Sequence, residues 1–232
     1  MFDGKLKAVT FSYDDGVTQD RRLIEIFNKY GLRCTFNINS GLLGKAGLLI
    51  RDGVTVAHCK PTPEEVRAIY EGHEIASHTL THPMLPDLGD EEIIEQVEND
   101  RLKLSELAGY EVTGFAYPGG GVNFNSRVAE IIKNNTGIKY ARTTVANGSF
   151  DLQENLFEFE PTVHHHSQFG EMVKLAEKFI ELKPDKPQIL YIWGHAYEFD
   201  IFNQWAEFEE FCKMISGKSD IFYGTNREVL LP

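Results

Sequence analysis

The residues able to do chemistry fall into short, separated groups. Tyr13-Asp14-Asp15-Gly16 sets two carboxylates side by side after an apolar run. Adjacent carboxylates repel, and a cation easily holds one of them ionised; Asp-Asp-Gly is equally good turn chemistry. His78 and His82 are four apart in Ser77-His78-Thr79-Leu80-Thr81-His82-Pro83. On a helical turn both imidazoles share one face, where they can grip one metal or simply meet solvent. Tyr117-Pro118-Gly119-Gly120-Gly121 is either a flexible loop or a backbone that brings N–H groups close to a ligand. Trp193-Gly194-His195 closes an apolar run with a histidine that is a candidate acid or base, or a structural residue.

Other patterns fall away. His73-Glu74 begins like His-Glu-x-x-His, but Ser77 stands in the fifth position. Val122-Asn123 follows the glycine run, where a phosphate loop needs Gly-Lys-Ser/Thr. No Gly-x-Ser-x-Gly elbow is present. Cys34, Cys59 and Cys212 are far apart and read as reduced core residues. His164-His165-His166 are consecutive, and neighbouring side chains on regular backbone point different ways, so the three are not expected to form one site. Taken together, Asp15, His78 and His82 make a two-His-one-carboxylate set with open positions, able to bind water and polarise a carbonyl. Asp14 is then placed as general base, His195 as general acid, and the glycine loop as a source of oxyanion donors.

Positioning these groups requires strands that end where they begin. The pattern predicts strands over Leu6–Tyr13, Arg33–Ile38, Glu74–Ser77, Val112–Tyr117, Lys139–Thr143, Phe157–Glu160, Gln188–Trp193 and Ile221–Tyr223. It predicts helices over Arg21–Tyr30, Pro63–Glu71 (capped by Thr62), Asp90–Ala108 (ended by Gly109), Ser126–Asn134, Phe169–Leu182 and Gln204–Ile215. Strand and helix alternate about seven times, which points to a parallel α/β architecture, open or closed into a barrel. In such folds ligands sit at the carboxyl ends of the strands.

The 232 residues carry 23 Lys and Arg against 35 Asp and Glu, a formal net charge of −12. That balance argues against nucleic acid and against polybasic attachment to anionic membrane. No apolar run is long enough for a membrane span. Met1-Phe2-Asp3-Gly4-Lys5 lacks the apolar region of a secretory leader, so a cytoplasmic location is expected, or an extracytoplasmic one for a trimmed chain.

At this point the residues resemble the polysaccharide deacetylases with the NodB-homology domain, carbohydrate esterase family 4. Ser12-Tyr13-Asp14-Asp15-Gly16 is similar to the first family motif, with Asp14 as base and Asp15 as metal ligand. His78-Thr79-Leu80-Thr81-His82 matches the second, His-Ser/Thr-x-x-His, in full. Ala116-Tyr117-Pro118-Gly119 stands where the family has Arg-x-Pro-Tyr, and the run Leu190 to His195 looks like the last motif. The resemblance implies a single-domain distorted (β/α) barrel of seven strands over residues 1–232. It also implies one divalent metal, zinc by default with Co, Ni or Fe as alternatives. The implied reaction is hydrolysis of the amide C–N bond of an N-acetyl group on an amino-sugar glycan. Gly119 N–H is expected to take the oxyanion, with Tyr117 and Pro118 beside it. Arg142 is a candidate to replace the family arginine lost at Ala116, and Trp193 to line the acetyl-methyl pocket. The alternatives are O-acetyl esters or cyclic amides and ureides at the same site, or a catalytically silent carbohydrate-binding protein.

Overall fold

The computed structural model describes residues 2–231. In chain order the elements are β1 (Lys7–Asp14), α1 (Asp20–Lys29), β2 (Cys34–Ile38), β3 (Leu48–Arg51), β4 (Val54–Ala57), α2 (Val66–Ile69), β5 (Glu74–Ser77) and α3 (Asp90–Ala108). Then follow β6 (Gly114–Ala116), α4 (Ser126–Asn135), β7 (Tyr140–Arg142), β8 (Val163–His164), α5 (Phe169–Glu181), β9 (Gln188–Gly194), α6 (Glu198–Phe202), α7 (Trp205–Ile215), β10 (Ile221–Tyr223) and α8 (Asn226–Leu230).

Seven strands pair in parallel in the order β7-β6-β5-β2-β1-β9-β8, and β10 pairs with the first half of β1. Every residue of β1, β2 and β9 is buried, as expected of a parallel sheet covered on both faces. The strip after β7 curls the sheet. Phe159 N–H donates to Ala141 O at 3.0 Å, and Thr162 N–H donates to Tyr191 O at 2.9 Å. One end of the strip therefore pairs with β7 and the other with β9, giving the distorted barrel. Helices pack outside through apolar stripes: α1 buries Leu23, Ile24, Ile26 and Phe27. α3 begins with Asp90, Glu91 and Glu92 against the helix dipole and stops at Gly109, whose φ of 78° is the left-handed cap.

Several expectations are corrected. The strand expected at Phe157–Glu160 is a 3-10 turn over Leu156–Glu158 followed by a single bridge at Phe159. The helix expected over Pro63–Glu71 is a 3-10 turn followed by the short α2. The β3–β4 hairpin, β8, α6 and α8 lie outside the elements that the sequence pattern predicts. Most of these are too short for their hydrophobic period to register.

Candidate active site and metal centre

The chemistry-bearing residues follow parallel strands, so they meet at the carboxyl end of the barrel. β1 ends at Asp14, and the chain then turns through Asp15 at φ 79° and Gly16 at φ 57°. Gly16 is required there, because a Cβ would lie 2.9 Å from Ile38 Cγ2 on top of the left-handed backbone. Asp15 pays the same backbone cost without being glycine, a form of strain that clusters at functional sites.

The two histidines do not reach Asp15 through a helix. Residues 78–82 form an irregular loop in which Thr79 and His82 are both left-handed, with φ 69° and 63°. Hydrogen bonds, not helical periodicity, bring the imidazoles to a ring separation of 4.9 Å. Buried Asp100 of α3 accepts from the His78 N–H at 3.2 Å and from Ser77 Oγ at 2.6 Å. Asn39 Nδ2 donates to the carbonyls of His78 and Thr79. His82 N–H donates to Thr79 Oγ1 at 3.0 Å.

His78 Nε2 and His82 Nε2 lie 3.8 and 3.5 Å from Asp15 Oδ1. One ligand atom from each of Asp15, His78 and His82 lies within 4.8 Å of the other two. His78 Nδ1 is 2.8 Å from Ala116 O, an acceptor, so the proton sits on Nδ1 and the Nε2 lone pair faces Asp15. Burial pulls the His78 pKa down to about 4, so the imidazole is neutral. Burial pushes Asp15 up, but the His58 hydrogen bond and the cationic Lys60 outweigh it and hold the carboxyl well below its usual range. A carboxylate and two imidazoles whose ligand atoms converge this closely fit one divalent cation.

Asp14 lies beside this cluster and is held from the opposite wall. Arg142 Nη2 sits 2.6 and 2.5 Å from its two oxygens, and Asn37 Nδ2 donates to Oδ1 at 2.7 Å. Burial pushes the Asp14 pKa up, but the groups around it, led by the Arg142 guanidinium, together pull it down by more, so the net direction is down and the carboxylate form is favoured. Arg142 is wholly buried, with its guanidinium 4.4 Å above the Trp193 ring.

His195 is the remaining titratable group. Its Nδ1 lies 3.3 Å from Glu198 Oε2, one turn on, and its backbone N–H donates to the same oxygen at 3.1 Å. Burial lowers the His195 pKa, yet the Glu198 carboxylate overrides it and lifts the imidazolium to about 9. Glu198 is fully buried, and His164 and His165 Nε2 approach the same Oε2 at 3.3 and 3.0 Å. A cavity of about 310 Å³ is lined by Asp14, Asp15, His78, His82, Gly119, Trp193 and His195, with His164, Tyr197 and Glu198. A larger cavity of about 560 Å³ opens beside His73 and Tyr110. It lies at the entry to β5, away from the Asp15–His78–His82 cluster and from a second set whose ligand atoms are equally close, His164, His195 and Glu198.

A family model described as polysaccharide deacetylase matches residues 3–141, more than half of the chain. The chain belongs to the polysaccharide deacetylase family. A curated relative, the peptidoglycan-N-acetylmuramic acid deacetylase PdaC of Bacillus subtilis, is 25% identical over 124 residues, covering 52% of this chain and 23% of PdaC. The chain therefore spans about a quarter of that relative's length. Among solved structures, the family 4 carbohydrate esterase from Streptomyces lividans in complex with acetate superposes with TM-score 0.57 at 16% identity, over 95% of this chain and 92% of that one. A CE4 family pseudoenzyme from Bacillus anthracis superposes with TM-score 0.53 at 14% identity, over 98% and 66%. These likenesses show the NodB-like fold. Among the described residues no helix is long and apolar enough to cross a membrane.

In this polysaccharide deacetylase family member, two of the expected site residues stand apart from the cavity. The Tyr117 ring packs against Phe115 and Phe124 and its hydroxyl donates to Phe157 O, because the chain leaves β6 with that side chain facing the core. Pro118 is buried beneath the glycine run and does not line the cavity. Gly119, at φ 82° with room for no Cβ against Met84 Sδ, presents backbone only. The His triplet does not form one site, although two of its members share a partner. β8 is two residues long and turns at His165, so alternation breaks and two of the three imidazoles converge on Glu198. His166 instead stacks on Phe202. Glu198, Asp100, Asn37, Asn39, His58 and Lys60 all serve the site without belonging to a motif that the sequence reading used.

Proposed function

We propose that this chain is a metal-dependent hydrolase, a single NodB-like domain over residues 1–232, that removes N-acetyl groups from an amino-sugar glycan. The carrying observation is that Asp15, His78 and His82, close enough to share one cation, line one cavity with Asp14 and His195. A divalent cation on that cluster, zinc by default from its N/O donors and Co, Ni or Fe as alternatives, would supply Lewis acidity to an acetyl carbonyl and a water. Asp14, oriented by Arg142 and Asn37, takes the proton of the attacking water. The Gly119 N–H donates to the oxygen on which negative charge develops. His195, kept protonated by Glu198, gives its proton to the departing amine, and acetate is left. Trp193 and Tyr197 provide apolar wall for the acetyl methyl and the sugar face.

The test is acetate release from N-acetylglucosamine oligomers by chelator-stripped protein, before and after zinc or cobalt is restored. Activity should vanish on stripping and return with the metal. Gly119 in place of the family tyrosine leaves the cavity mouth open and favours a second reading, hydrolysis of O-acetyl esters or cyclic amides. Acetylated xylan and a cyclic ureide in the same assay separate the two. Glycan binding with no turnover on any of these would support the silent carbohydrate-binding reading instead.

The proposed acid also predicts a pH dependence. His195 donates only while protonated, so kcat/KM should fall as pH rises through about 9, or lower once a cation sits nearby. Glu198→Gln removes the charge that raises this pKa, so the alkaline limb should move to lower pH. An unchanged limb would remove His195 from the acid role.

A further inference from the structure

The β3–β4 hairpin brings three side chains to the site from a segment that matches none of the family motifs described above. Arg51 Nη1 pairs with buried Glu198 Oε1 at 2.8 Å. Lys60 Nζ donates to the Asp15 carbonyl at 2.6 Å. His58, one residue past β4, places Nε2 3.3 Å from Asp15 Oδ2. Its backbone N–H donates to Gly47 O at 2.8 Å and its ring packs edge-on to Tyr197 at 5.2 Å, so the imidazole is held at both ends.

Three imidazoles thus surround one carboxylate, and their hydrogen bonds make them unequal. A carboxylate that ligates a cation can only accept, so in the 3.3 Å contact with Oδ2 the His58 nitrogen is the one that carries the hydrogen. A nitrogen donating to Asp15 has no lone pair for a metal. His78 is the reverse case: its hydrogen is spent on Ala116 O, leaving the Nε2 lone pair free. The two Asp15 oxygens are divided in the same way, with Oδ2 toward His58 and Oδ1 toward His78 and His82.

We infer that His58 is a positioning residue of the metal site: its Nε2–H holds Asp15 Oδ2 and turns Oδ1 toward the His78 and His82 nitrogens. This rests on the metal reading of that site. Outer partners that orient a ligating carboxylate typically carry 10–100-fold in metal affinity. Lys60 donates to the Asp15 backbone carbonyl, whereas among the described residues His58 alone hydrogen-bonds the carboxylate.

The experiment titrates chelator-stripped full chain with cobalt(II) and zinc(II) against a chromogenic chelator and records the cobalt visible spectrum. His58→Ala is expected to weaken both affinities about 10–100-fold and to shift the cobalt bands. His58→Gln, whose amide can still donate to Oδ2, should recover most of the loss. Ile50→Ala, an exposed change on the same hairpin, should bind metal as the wild type does. Wild-type affinity in His58→Ala overturns the inference, as does an equal loss in Ile50→Ala or no recovery in His58→Gln. If His58→Ala does not fold, His58→Asn, too short to reach Oδ2, replaces it in the comparison with His58→Gln. Failure of the wild type to bind either metal overturns the metal reading itself, a separate result.

Discussion

Arg142→Ala should cost about 3–5 kcal/mol of folding stability, the range for leaving one member of a buried ion pair uncompensated. Both partners are sealed from solvent, with side chains 0% and 2% exposed. Asp14 would keep Asn37 as a donor, but its charge would face a cavity where the guanidinium had been. The loss would also open space against Trp193, on which Arg142 lies, adding a packing term. The check is a urea transition at neutral pH with the slope fixed to the wild-type value. A shift below about 1 kcal/mol would mean that the pair is worth no more than an exposed one. Arg142→Lys should not rescue fully, because a point ammonium cannot reproduce both the planar stacking and the reach to two oxygens. Asp14→Leu combined with Arg142→Leu should recover much of the stability, since an apolar pair of similar volume avoids the desolvation cost.

The contrast between what the sequence disclosed and what it hid follows from distance along the chain. α3 was readable to its ends because its signals are local: acidic residues in the first turn, apolar residues near period 3.6, and glycine at the cap. β5 is legible as a short segment around Ile75 and Ala76, bounded by Gly72 and by the polar stretch from Ser77. The β3–β4 hairpin carries a local signal in its turn rather than in its hydrophobic period. Asp52-Gly53 joins two β-prone runs, and both residues are left-handed, with φ 52° and 77°, as a tight hairpin turn requires. That turn sets His58 just beyond the end of β4. Arg142 could be placed on a strand, but the direction of its side chain depends on the curl that brings β7 round to face β1. Glu198 stands three residues after His195, inside a run that reads as aromatic and acidic surface. Only the burial supplied by α6 and the hairpin makes it the partner of three imidazoles. The His78–His82 loop gives the opposite lesson: the histidines converge, but on left-handed backbone braced by Asp100 and Asn39, not on the helical turn that their spacing suggested.

Asp14→Asn and Asp15→Asn should separate two neighbouring carboxylates by function. Asparagine is nearly isosteric with aspartate, so neither change creates a cavity, and each removes one negative charge. At Asp15 that charge belongs to the cluster with His78 and His82, so Asp15→Asn should weaken zinc and cobalt binding sharply and lose acetate release as a consequence. At Asp14 the charge is the proposed proton acceptor, so Asp14→Asn should keep metal affinity within a few-fold and lower kcat by about 10²–10⁴. Saturating metal should rescue part of the Asp15→Asn loss and none of the Asp14→Asn loss. Asp14→Asn also leaves the Arg142 guanidinium buried without its counter-charge, so it should be less stable than Asp15→Asn. Turnover must therefore be measured well below its unfolding midpoint. An Asp14→Asn protein that binds cobalt normally and retains wild-type acetate release would remove Asp14 from the base role. A protein that loses cobalt at Asp14→Asn but not at Asp15→Asn would reverse the two assignments. The structure argues against that reversal on position. Asp15 Oδ1 is the oxygen nearest both His78 and His82, while the oxygens of Asp14 are occupied by Arg142 and Asn37.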